Sequence, residues 1–285
     1  MKKLKQISWN RNSMFWMRQS SRKLRKSWRD SMKIWIDEEE LDFSRFQLFD
    51  CRNQMDDLEK SLAVYNQSHI ETAVFVPGYP VLYDRHKPEE GRHPLPDMAL
   101  FKTFLERYCN SKVPVAYDSE KGFMATRFFF LCDLLGVPCY ILKQSFDAVT
   151  IAKEQGNLKV EDIEQLENDR QIEQPAIRQE LIATREDVRN RVATLIDARE
   201  KKRFLGEAEP IDIHPGHISG AINFPYKKVF EYQRPDTDDA IVYCGSGLSA
   251  TPVYAALRAA DKKVRLYPGS YSEWIFHYPE EIERG

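Results

Sequence analysis

An internal repeat constrains this chain more than any other feature. Leu48-Phe-Asp-Cys-Arg52 and Leu195-Ile-Asp-Ala-Arg199 are both short apolar runs ending in Asp-x-Arg, and a His-Ile pair follows each at nearly the same distance, His69-Ile70 and His217-Ile218. The match continues downstream. Val113-Pro-Val-Ala-Tyr-Asp118, then Gly122 and Ala125, precedes a helical run, as Ala240-Ile-Val-Tyr-Cys244, then Gly247 and Ala250, precedes another; a further strand follows each, at 139–142 and 264–267. Strands alternating with helices build βαβ units and a parallel sheet. The expected fold class is therefore α/β, with two tandem domains, each a small parallel sheet flanked by helices. A chain of 285 residues is long enough for two such cores.

The repeat places the first domain at 32–156 and the second at 182–285. Between them, 157–181 is rich in acids, Gln and Lys and interrupted by Pro175, which reads as a linker with room for a helical turn. Residues 77–96 carry seven Pro and Gly, too many breakers for a regular element, and form a long loop inside domain one. Residues 1–31 are a basic head, since ten Lys or Arg stand there against one acid. Its Arg- and Ser-rich composition resembles an organelle transit peptide; a disordered tail and a stretch ahead of a natural start at Met32 are the alternatives. The body beyond the head is acidic, which argues against nucleic acid as the main partner. No membrane role is expected, because the most apolar stretch, 128–135, is interrupted by Asp133 and is far short of the ~20 residues a spanning helix needs.

Five cysteines, Cys51, Cys109, Cys132, Cys139 and Cys244, form an odd set without CxxC spacing, so neither a disulfide framework nor a metal site is expected, and a reducing, cytoplasmic compartment fits. Four of them sit among apolar neighbours and read as inert core residues. Cys244 differs. It ends a buried strand and enters Cys244-Gly-Ser-Gly-Leu-Ser-Ala250, a Gly-rich turn leading into a helix, the place where α/β sheets put ligands. Gly245 and Gly247 allow backbone conformations in which several N–H groups face one sulfur, and these with the positive end of the following helix would favour a thiolate or persulfide anion without metal or cofactor.

This loop resembles the active-site loop of 3-mercaptopyruvate sulfurtransferases, usually Cys-Gly-Ser-Gly-Val-Thr-Ala, within the rhodanese superfamily. Asp197-Ala-Arg199, Arg203-Phe204, Gly216-His217-Ile218 and Tyr267-Pro-Gly-Ser-Tyr-Ser-Glu-Trp274 are similar to family signatures, and Gly91-Arg-His-Pro-Leu-Pro96 resembles the inter-strand loop of the family's N-terminal domain. The resemblance implies a cycle in which Cys244 takes sulfur from a small-molecule donor, releases pyruvate, and passes the sulfur to cyanide or to a thiol acceptor such as a thioredoxin-like protein or a low-molecular-weight thiol. It implies Arg203 as the clamp on the donor carboxylate and Gly245, Gly247, Leu248 and Ser249 as the loop around the donor. It also implies a Ser–His–Asp relay meeting the loop across the domain interface, with Ser246 as the serine, His69 as the histidine and either Asp56 or Asp57 as the acid. Asp118 replaces the cysteine in domain one, so that half holds no persulfide. Asp50, Asp197 and His217 read as structural.

Two departures bear on substrate. His69 is followed by Ile-Glu-Thr-Ala where the family has Ile-Pro-Gly-Ala, and the stretch from Arg203 to His217 lacks the second arginine of many members. Thiosulfate is the alternative donor, and a sulfur-relay module without turnover is the alternative from another class. A phosphatase of this fold would need an arginine near position 250, where Ala250 stands.

Overall fold

A computed structural model describes residues 33–55, 57–119, 122–168 and 173–285. The basic head, the candidate acid Asp56 and parts of the segment after residue 168 lie outside them. Among the described residues no helix is long and apolar enough to cross a membrane.

Domain one begins with β1 (Trp35–Ile36) and β2 (Phe46–Asp50), the latter buried along its whole length. After α1 (Leu58–Gln67) come β3 (His69–Ile70) and β4 (Val74–Phe75), then α2 (Met98–Cys109), β5 (Val113–Tyr117), α3 (Phe123–Leu134), β6 (Tyr140–Leu142) and β7 (Lys153–Glu154). Five strands form one sheet in the order β1-β6-β5-β2-β4, every pair parallel. Burial on both faces explains the continuous apolar runs that stand where an exposed sheet would alternate.

The segment expected to be a linker contains α4 (Val160–Glu167), eight residues whose Ile163 and Leu166 are buried in the domain-one core. Paired hydrogen bonds between the Asn66 amide and the Leu158 main chain, at 2.8 and 2.9 Å, fasten its start to α1. The apolar pair spaced three apart made a one-sided helix favourable despite the polar composition.

Domain two repeats the plan with α5 (Arg185–Arg189), β8 (Thr194–Asp197), α6 (Lys201–Phe204), β9 (His217–Ile218), β10 (Ile222–Asn223), β11 (Asp239–Tyr243), α7 (Thr251–Ala259), β12 (Lys263–Leu266), α8 (Ser270–His277) and β13 (Ile282–Glu283). Its parallel sheet runs β10-β8-β11-β12.

The two repeat-equivalent helices, α3 and α7, pack against each other. Thr126 and Thr251 share a hydrogen bond at 2.7 Å, Phe130 meets Tyr254 edge-on at 5.0 Å, and buried Asp133 receives the Tyr254 hydroxyl and the Arg258 and Arg178 guanidinium groups. One apolar cluster runs through this seam from Phe128 and Leu131 to Val253 and Leu257.

Candidate active site

The Asp-x-Arg signatures close each domain's first strand in the same way. Asp50 takes a bidentate contact from Arg52 and the Tyr117 hydroxyl at 2.7 Å; Asp197 takes the same fork from Arg199. These buried pairs are structural, as expected for Asp50 and Asp197.

The histidines repeat equally closely. His217 stacks on Phe204 with ring centroids 3.7 Å apart, its Nδ1 sits 2.8 Å from the Phe204 carbonyl, and its Nε2 lies 3.5 Å from Glu283. His69 stacks on Tyr65 at 3.9 Å, with Nδ1 3.1 Å from the Tyr65 carbonyl and Nε2 3.4 Å from Glu154. The expectation that His69 serves the relay is therefore corrected: both of its ring nitrogens are engaged within domain one, where its role is that of His217. Of the two acids considered for it, Asp57 caps α1 by accepting the Lys60 N–H.

The histidine at the Cys244 loop is His93, whose Nδ1 lies 2.7 Å from the Ser246 hydroxyl. It comes from the irregular 77–96 loop and is buried against Tyr83. Burial, with the Arg127 and Arg92 charges nearby, pushes its imidazole down to about 3. The ring is thus neutral at physiological pH and keeps one N–H and one lone pair.

Cys244 directly follows β11 and is 1 % exposed. Its Sγ accepts the Gly247 N–H at 3.2 Å, while its own N–H donates to Ser270 Oγ and its carbonyl accepts from Tyr271. Only one loop N–H meets the sulfur at hydrogen-bond distance, fewer than the several expected. The two glycines differ in purpose. Gly247 has φ +82, a conformation that favours glycine. Gly245 is needed for room, since a Cβ there would stand 2.8 Å from Arg92 Nη2 and 3.4 Å from both terminal nitrogens of Arg203. Leu248 is buried in the core and its carbonyl accepts from Thr251, so it braces the loop from behind; Ser249 is half-buried.

Arg203 is placed beside the loop as expected, fixed by Glu209 at 2.7 Å and Asp212 at 2.9 Å. Arg92 adds a second guanidinium, paired with the same Asp212, and its backbone N–H donates to Ser272. The missing arginine of domain two is thus answered by one from domain one. Sequence reasoning overlooked Arg92 and His93 although it had singled out the Gly91-Arg-His-Pro stretch containing them.

One cysteine loop, two arginines and a His–Ser pair converge where two repeats meet. The Rhodanese-like domain model matches residues 34–152 and again 178–277. The chain belongs to the rhodanese-like domain family. It is 31% identical over 269 residues to the putative thiosulfate sulfurtransferase SseB of Mycobacterium tuberculosis, covering 84% of this chain and 90% of that protein. It is 30% identical over 273 residues to a probable 3-mercaptopyruvate sulfurtransferase of Pseudomonas aeruginosa, covering 80% and 88%. Among solved structures, the rhodanese fold is shared with 3-mercaptopyruvate sulfurtransferase from Leishmania major, at a TM-score of 0.71, 22% identity and coverage of 88% and 76%.

Proposed function

We propose that this sulfurtransferase draws sulfur from 3-mercaptopyruvate, carries it as a persulfide on Cys244, and hands it to a thiol in a reducing, cytoplasmic compartment. The Cys244 thiolate attacks the donor sulfur; the C–S bond breaks, its electron pair passes into the enolate of pyruvate, and a proton completes the product. Ser246 can offer its proton to the developing enolate oxygen while the neutral His93, carrying its proton on Nδ1, donates to Oγ. Five buried free cysteines agree with reducing surroundings, and a small or thioredoxin-like thiol is the acceptor this chemistry admits.

The observation that carries the donor assignment is the charge around Gly245. Two guanidinium groups, Arg92 and Arg203, face that residue, and two buried carboxylates, Asp212 and Glu209, already balance them. The residues from Gly245 to Ala250 carry no charge. This suits a donor with one carboxylate and a neutral carbonyl better than the compact thiosulfate dianion, which gains from an excess of cations in a low-dielectric site. With both donors assayed side by side, kcat/KM for mercaptopyruvate should exceed that for thiosulfate by about tenfold or more, a difference of about 1.4 kcal/mol in transition-state binding. Arg203→Ala should reduce mercaptopyruvate use far more than thiosulfate use. Thiosulfate as the better donor would overturn the assignment.

A further inference from the structure

Arg127, in α3, is a fully buried cation with no role in the chemistry above. Its guanidinium donates to four main-chain carbonyls: Leu82 at 3.1 Å, His93 at 3.4 Å, Pro94 at 3.2 Å and, across the domain interface, Gly247 at 3.2 Å. The other buried arginines, Arg52 and Arg199, each hold a carboxylate. Arg127 pairs with none among the described residues. A buried cation supported only by carbonyl dipoles is costly unless an anion stands near it. The anion available is Cys244: Gly247, whose carbonyl Arg127 holds, is the residue whose N–H meets the Cys244 sulfur. Burial lowers the Arg127 guanidinium to about 10, and the Cys244 charge acts in the opposite direction. The side chain thus stays cationic at neutral pH.

We propose that Arg127 is the counter-charge of the Cys244 anion, thiolate and persulfide alike, held beside it through the Gly247 carbonyl. It is a positioning residue supplied by the domain that has no cysteine of its own in the cradle. The remaining groups around the loop do not duplicate it. Arg92 and Arg203 are matched by Asp212 and Glu209, His93 is neutral, and Tyr226, which also feels the Cys244 charge, is held in its neutral phenol form mainly by burial.

The inference rests on Cys244 as the sulfur-carrying group, yet its test needs no sulfur donor. The thiolate absorbance of Cys244, taken as the difference between the full chain and its Cys244→Ser variant, would be followed against pH in three backgrounds. Arg127→Met should raise the Cys244 thiolate pKa by about one unit or more, because an opposite charge near a group favours its ionised form. Arg127→Lys, which keeps the charge and loses most of the hydrogen bonds, should stay close to the wild type. A folded Arg127→Met protein with an unchanged thiolate pKa would overturn the proposal, as would a lysine variant shifted as far as the methionine one. Should Arg127→Met fail to fold, Arg127→Gln takes its place, with the same rise expected and an unchanged thiolate pKa in the folded variant overturning the proposal. Because no donor is used, the outcome stands whether mercaptopyruvate or thiosulfate proves to be the substrate.

Discussion

The same strand-end cradle occurs twice in this molecule and holds a sulfur in one copy and a carboxylate in the other. In domain two, Cys244 accepts one N–H, Arg92 and Arg203 stand against the neighbouring Gly245, and His93 meets Ser246. In domain one, Asp118 accepts N–H groups from Ser119, Met124 and Ala125 and is 7 % exposed. Among the described residues its carboxyl bonds only to this loop and the start of α3, the Ser119 hydroxyl included, and to no side chain of domain two. Phe230 of domain two closes over Gly122, 2.5 Å from where a Cβ would stand. The carboxyl has two oxygens for the cradle's N–H groups where the cysteine offers one sulfur. The backbone plan is shared, and the copies differ in the side chain held and in the groups around it: Arg92 and His93 from domain one, Arg203 and Ser246 from domain two.

The sharpest way to break the comparison is to equalise the two cradles. Cys244→Ser should lower sulfur transfer by about 10³-fold or more, as loss of a nucleophile does, while substitution of Cys51, Cys109, Cys132 or Cys139 singly should leave transfer intact. Asp118→Cys in that background should restore nothing, measured as turnover with either donor. Restored turnover would show that the cradle alone suffices.

A second test removes the partner domain. Residues 178–285 alone would expose Val253, Leu257 and Tyr254, which are now covered by α3, and would lose His93, Arg92 and Arg127. Soluble monomer yield and mercaptopyruvate turnover should both fall severely, and equal turnover by the fragment would remove domain one from the mechanism.

His93→Ala and Ser246→Ala should each lower mercaptopyruvate kcat by about 10²-fold, the scale of one positioned proton-transfer group, and the double variant should be little worse than either. His69→Ala should act on stability instead, read as a lower Tm with kcat retained.

The smallest expected effect concerns Asp118. Burial raises its carboxyl to about 7 although three N–H donors oppose the shift. An acid raised in the folded state stabilises the fold fully below its unfolded pKa of about 3.9 and loses that contribution as pH rises toward the folded value. Asp118→Asn should therefore gain on the wild type between about pH 4 and 7, by a urea midpoint that closes or reverses with rising pH.

Much of this comparison was legible in the sequence. The repeat pointed to the α/β class, and the placement of Cys244 after a buried strand and before a Gly-rich turn marked the copy proposed to carry sulfur. His69 was misread by following the family order along the chain, although the repeat itself held the correction: His69 aligns with His217, which had been read as structural. His93 was hidden because it lies in a stretch for which the repeat gives no counterpart, a Pro- and Gly-rich loop whose path no periodicity describes. Arg127 was hidden for a different reason. As the fifth residue of a strongly apolar helix it looked like an isolated charge, and only the packing of α3 on α7 shows what it faces.

The central claim, that one cradle of the two carries sulfur, is tested most directly by peptide mass measurement after incubation with mercaptopyruvate in the absence of any acceptor thiol. The account predicts one added sulfur atom on the peptide containing Cys244 and none on those containing Cys51, Cys109, Cys132 or Cys139. Added sulfur on any other cysteine, or an unmodified Cys244 in a protein that still releases pyruvate, would contradict it.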